Sequence, residues 1–276
     1  MIRRIILGVA LAATITLDAC GPGAESSRTA APESKEVLYR NGHQSWVERD
    51  FDGADAMLKR ALQIDSSYIP ALSDLAEIQY ELGMKEPGEK SRGRLDRFTQ
   101  ARIYLMRLES LGTCESPVYE RLCELSVALD DNRTFLRYAK KNAEKYPYDR
   151  QMYNLGIAYY ETGEYAAVIR TMKEATEKFK ISPYIGGFYR QLGLAYMKVD
   201  RDQTAVRTLE AGVQIVDKRV AELKKSGTDG SSSENRRLLD DRVGMLVSLR
   251  KLYQTYKEQA KLTAVERLLR EAGYLK

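Results

Sequence analysis

Residues 150–180 read RQMYNLGIAYYETGEYAAVIRTMKEATEKFK. In the first half Met152, Leu155, Ala158 and Tyr159 share one helical face. Gly163 interrupts the pattern, and Tyr165, Val168, Ile169, Met172 and Ala175 then resume it. The stretch predicts two amphipathic helices joined by a tight turn. Neither helix can hide its apolar stripe alone, so the pair needs neighbours.

The neighbours are written in the flanking sequence. Residues 189–217, YRQLGLAYMKVDRDQTAVRTLEAGVQIVD, repeat the order Leu-Gly-x-x-Tyr as Leu192, Gly193 and Tyr196. They then repeat a small residue with a Leu four later, Ala205 and Leu209. Leu155 and Leu192 stand 37 residues apart. Weaker copies precede them. Gly42, Phe51, Ala54, Leu58 and Ala61 mark one unit, and PALSDLAEIQYELG opens a second at residue 70. Ser116-Pro117 opens a third, since proline suits a first helical turn.

This order resembles the tetratricopeptide (TPR) repeat, a helix–turn–helix unit of about 34 residues. The resemblance implies an all-α, right-handed superhelical solenoid with a divergent long-helix C-terminal cap. The units are read as 35–68, 69–113 with an insertion at 84–95, 116–148, 149–182, 186–225 and 234–274. The turn at Asp130-Asp131 is ambiguous by one residue. The helix of about 24 residues before SGTDGSSS would reach roughly 36 Å, so the last hairpin is expected to extend past the stack. Thr263 and Glu266 have the spacing of a capping box for the final helix.

The N-terminus says where the chain works. Arg3 and Arg4 precede an apolar run from Ile5 to Leu17, and Leu17-Asp18-Ala19-Cys20 follows. A positive start, a short apolar run and a small residue before the break read as an export signal. The run is shorter than the ~20 residues a membrane-spanning helix needs. The Leu-x-Ala-Cys ending resembles the lipobox of bacterial lipoproteins. That resemblance implies a signal peptide over 1–19 and acylation, including palmitate, of Cys20. The small, polar segment 21–34 reads as a flexible tether. Gly21, where an Asp would favour the inner membrane, is compatible with an outer-membrane lipoprotein facing the periplasm.

Removing residues 1–19 leaves 42 basic and 38 acidic residues, interspersed rather than in blocks. Such a balance carries no footprint for nucleic acid. With Cys20 spent on lipid, two cysteines remain. Their spacing leaves open a disulfide between Cys114 and Cys123 or two separate thiols. His43 is the one histidine, and there is no zinc-ligand spacing, nucleophile elbow or phosphate loop. The chain is therefore expected to have no enzymatic activity, no cofactor and no metal.

What remains is surface. The TPR resemblance implies a concave groove lined by the first helix of each unit. Carried onto this sequence, the lining is Tyr39, His43 and Trp46, then Arg150, Tyr153, Ile157 and Tyr160, then Arg190, Leu194 and Met197. Tyr, Trp and Arg are the residues that dominate binding hot spots. A hydrophobic groove for a helix or extended segment is expected, rather than a clamp for a free acidic C-terminus. The function expected is a membrane-anchored interaction scaffold for an envelope protein, with the lipid anchor as its membrane contact. The alternative is an accessory protein holding a small lipid or glycan within the superhelix.

Overall fold

The computed structural model describes residues 33–227 and 232–276. The signal segment, Cys20 and nearly all of the tether lie outside the described residues. The described residues form twelve α-helices and no strand, as the repeat pattern requires. In order they are α1 (Lys35–Val47), α2 (Phe51–Ile64), α3 (Ile69–Lys85), α4 (Arg92–Ser110), α5 (Ser116–Ala128), α6 (Asn132–Lys145), α7 (Asp149–Glu161), α8 (Tyr165–Lys178), α9 (Ile185–Lys198), α10 (Asp202–Lys225), α11 (Ser233–Thr255) and α12 (Gln259–Glu271). Each odd helix packs on the even helix that follows it, and each even helix packs on the next odd one.

The recurrent glycines set the spacing within pairs. A β-carbon on Gly42 would lie 2.9 Å from Leu58 Cγ; on Gly156, 2.2 Å from Met172 Cε; on Gly193, 2.4 Å from Leu209 Cδ2. Each glycine thus lets its first helix settle onto the apolar side chain of the second. Five of the six turns within pairs are equally regular, the α3–α4 link being longer. Arg49, Asp130, Gly163, Asp200 and Lys257 each take a left-handed conformation, with φ between 54° and 78°. At the ambiguous turn, Asp130 (φ 55°) is the left-handed residue. Asp131 caps α6 by accepting from the Thr134 amide at 3.1 Å.

Three apolar clusters follow one another along the stack. Leu38, Leu58, Leu75 and Ile78 anchor the first. Leu72, Phe98, Leu122 and Tyr138 belong to the second. Met172, Phe188, Leu209, Leu246 and Leu269 belong to the third, which carries both long helices and the last pair.

Two local expectations are corrected. The last helix starts at Gln259, one turn before the supposed capping box. Thr263 sits inside it, donating its hydroxyl to the Gln259 carbonyl at 3.0 Å, while Glu266 accepts from Arg250 at 2.9 Å. The link between α3 and α4 is residues 86–91, shorter than the insertion 84–95, because Arg92–Arg97 is helical behind the Ser91 cap. The long hairpin is present: α10 has 24 residues and α11 has 23, against 14 in α9. It is tied by Arg219 to Glu234 at 2.9 Å and by Arg242 to Asp217 at 2.5 Å.

Candidate functional site

The first helices form one layer. α1 touches α3, α7 touches α9 and α9 touches α11, while second helices meet one another through side chains: Glu109 of α4 accepts from Tyr138 of α6 at 3.1 Å, and Lys261 of α12 lies 3.5 Å from Glu210 of α10. Side chains bridge the remaining gaps, so a continuous wall runs from α1 to α11.

At its N-terminal end the wall is aromatic. Tyr39 is half-buried and meets Tyr68 edge-to-face at 5.7 Å. His43 Nδ1 lies 2.7 Å from Asp74 Oδ2 of α3, and Trp46 meets the His43 ring edge-to-face at 5.7 Å. Burial pushes the Asp74 carboxyl above its usual range, against the opposing pull of His43.

The middle is charged, and here the expectation of a hydrophobic groove is corrected. Arg121 lies over the Tyr80 ring at 3.7 Å and reaches Glu77 at 3.1 Å and Glu124 at 2.6 Å. Arg150 reaches Glu120 at 2.8 Å and Glu124 at 3.7 Å. Gln151 adds a hydrogen bond to Glu120 at 2.8 Å. Carboxylates and guanidiniums thus alternate across α3, α5 and α7. Adjacent opposite charges hold helix register while leaving little net charge, and partly exposed pairs of this kind contribute only ~1 kcal/mol each or less.

Toward the C-terminal end aromatic rings return. Tyr153 lies against Tyr184 at 5.2 Å and Phe188 at 6.2 Å. It fills the space that Gly187 leaves: a β-carbon there would be 2.5 Å from the Tyr153 ring. Burial raises its phenol pKa. Tyr160 meets Tyr165 of its own pair at 5.5 Å. Ile157, Leu194 and Met197 are half-buried, and Arg190 stands 3.6 Å from Asp241 of α11.

The ten residues read from the sequence therefore divide. Tyr39, His43 and Trp46 form one aromatic group, and Arg150 joins the charged chain. Tyr153 is committed to packing on the next pair, and Tyr160 to its own. Asp74, Glu77, Glu120, Arg121, Glu124, Arg237 and Asp241 were missed. The charged members recur on first helices, and repeat alignment could have found them up to α7. Asp241 and Arg237 lie where the elongated last pair has lost the repeat register.

Cys114 and Cys123 are buried and free, with no bridge between them. Desolvation pushes their thiols up to about 11 and about 12. A crevice of about 340 Å³ between α8, α9 and α10 is lined by Ile181, Ile185, Tyr189 and Ile215. It is not a chamber bounded by Tyr153, Tyr160 and Met197, which a small ligand within the superhelix would need. Among the described residues, no His, Cys, Asp or Glu side chains gather to hold a metal ion.

No family model matches the chain, and no curated protein does. Solved structures do. MamA aligns with a TM-score of 0.53 at 19% identity, covering 68% of this chain and 94% of MamA. YrrB, described as a TPR protein with an unusual peptide-binding site, aligns with a TM-score of 0.52 at 14% identity, covering 65% of this chain and 84% of YrrB.

The fold is a TPR-like solenoid. The TPR-like chain is thus similar to these neighbours over about two thirds of its length. At this identity the likeness speaks for architecture alone.

Proposed function

We propose that this chain is a lipid-anchored scaffold of the bacterial envelope that grips a segment of another envelope protein along its inner wall. The observation that carries the reading is the wall itself: aromatic groups at both ends and a charged strip between them, drawn from successive first helices. Such a surface offers ring faces and paired polar groups to an extended or helical segment. The peptide-binding site of YrrB, on the same architecture, supports the assignment. The Leu17–Cys20 box supports attachment through acylated Cys20, on the periplasmic side of the outer membrane. No described helix is long and apolar enough to cross a membrane. An anchor would confine the wall near the bilayer and raise the effective concentration of a partner there.

Two measurements test this. A Cys20→Ala variant is expected to leave the membrane fraction and to lose labelling by radioactive palmitate. Retention of both in the variant refutes the anchor. Photo-crosslinking groups placed at Trp46 and Met197 are expected to capture discrete envelope proteins. The same group at Ile103, an exposed position on a second helix, is expected to capture none of them. Equal capture from both faces, or none from the wall, removes the scaffold reading.

A further inference from the structure

This inference rests on the wall being a segment-binding surface, and it names the chemistry of one contact. Along the middle of the wall each arginine is matched at hydrogen-bond distance: Arg121 with Glu77 and Glu124, Arg150 with Glu120. At the C-terminal end the matching fails. Arg190 has one nearby carboxylate, Asp241, at 3.6 Å, which is too long for a hydrogen bond. Arg237 lies over the Tyr184 ring at 4.1 Å and has no ion pair among the described residues. Tyr184 in turn packs on Tyr153, and neither hydroxyl is hydrogen-bonded among the described residues.

Asp241 does not satisfy this group. Its side chain is 5% exposed, and its Oδ2 is buried without a hydrogen-bond partner. That oxygen points to the first turn of α9, 3.3 Å from where a Gly186 β-carbon would be, beside Val216 of α10. Both arginines bear on Asp241 and on Tyr153, and Arg237 stacks on the Tyr184 ring that packs against Tyr153, so two guanidiniums and two phenols neighbour one buried carboxylate. Stacking on Tyr184 holds Arg237 in place without using its N–H groups.

We infer that Arg190 and Arg237, assisted by the Tyr153 and Tyr184 hydroxyls, receive a carboxylate side chain of the bound segment, an aspartate or a glutamate. A planar two-oxygen anion matches the fork geometry of guanidinium donors. The groups that bear on Asp241 are Arg190 on α9, Arg237 and the exposed Asp240 on α11, and Tyr153 on α7; Val216 of α10 carries no charge. Burial raises the Asp241 carboxyl to about 6, and the two arginines only partly oppose this. Below that pH Asp241 is neutral and repels no incoming anion. A peptide carboxylate, with its ordinary pKa of about 4, is still charged there. Acidic segments therefore bind more tightly as pH falls from neutral toward 5.5.

The test uses the full chain and peptide libraries of about twelve residues with a fixed central Glu, Gln or Lys. At a pH near 6, the Glu library is expected to bind about tenfold better than the Gln library, the size of one charge-assisted contact. The preference is expected to vanish in Arg190→Gln/Arg237→Gln and to fall in Arg237→Gln alone, whose side chain carries no ion pair and whose loss leaves the fold intact. Arg150→Gln, at a matched arginine, is expected to leave the preference unchanged. Equal binding of all three libraries overturns the inference, as does an acidic preference that survives the double substitution. Failure of every library to bind instead overturns the segment-binding reading beneath it.

Discussion

Gly193 and Leu209 meet with no room between them: a β-carbon on the glycine would stand 2.6 Å from Leu209 Cγ and 2.4 Å from its methyl. Leu209 is fully buried, so it has nowhere to retreat. Gly193→Ala is expected to destabilise the chain by about 1–3 kcal/mol, the usual cost of overpacking. At the matching place in the preceding pair, Gly156 faces the flexible end of Met172. Gly156→Ala is expected to cost less, since methionine adapts by rotamer change. Thermal melts of the two variants check the order; a larger loss at Gly156 contradicts this packing account.

The buried Asp241 sets a pH dependence. Its carboxyl pKa is raised to about 6 from 3.8, so the folded state favours the protonated form. A raised folded pKa gives stability that is complete below the unfolded value and lost as pH rises through the folded one. Asp241→Asn removes that loss. The variant is expected to gain about 1–3 kcal/mol over wild type at pH 7.5 and to lose this advantage near pH 4. Paired melts across that range measure it; a pH-independent difference would falsify the assignment.

Lys257 turns the chain between α11 and α12 with φ 54°, a region costly for residues with a β-carbon. No hydrogen bond from its side chain offsets this among the described residues. Lys257→Gly is expected to raise stability by up to about 1 kcal/mol, after allowing for the extra freedom glycine gives the unfolded chain. Gly163→Ala, at the equivalent turn (φ 78°), is expected to lower it. Denaturant midpoints of both variants test the pair.

The thiols should be inert in the folded chain. Cys114 is 5% exposed and Cys123 2%, and desolvation holds both protonated well above neutral pH. In a Cys20→Ser variant, maleimide at pH 7.5 is expected to label neither until denaturant is added. Rapid labelling of either cysteine before unfolding would contradict this burial.

The fold was legible because its signals are local. Apolar spacing of three and four residues, the glycine beneath each second-helix side chain and the breaks between helices are all short-range. Thr263 misled because a Ser/Thr-x-x-Glu spacing also arises inside a helix, where the hydroxyl simply bonds back to the preceding turn. The start of α4 was hidden because Arg92–Arg97 offers one apolar residue, Leu95, to read. The wall was half legible. Repeat position finds which residues lie on the first helices, but not what they touch. Tyr153 and Arg150 hold corresponding roles in sequence, yet one is spent on Gly187 and Phe188 and the other on two carboxylates. Those partners come from the next or previous pair, 26 to 35 residues away, about the length of one repeat.

Close approach of first helices is confined, among the described residues, to α1–α3 and to α7–α9–α11, whereas α3, α5 and α7 meet through side chains, as the second helices do, so the solenoid is stiffer at its two ends than in its middle. Mechanically it resembles two firm blocks joined by the charged strip as a compliant seam. Such a body opens and closes by flexing at that seam while each block keeps its shape. Segments of unequal girth can then be accommodated by bending there, with no helix having to unwind.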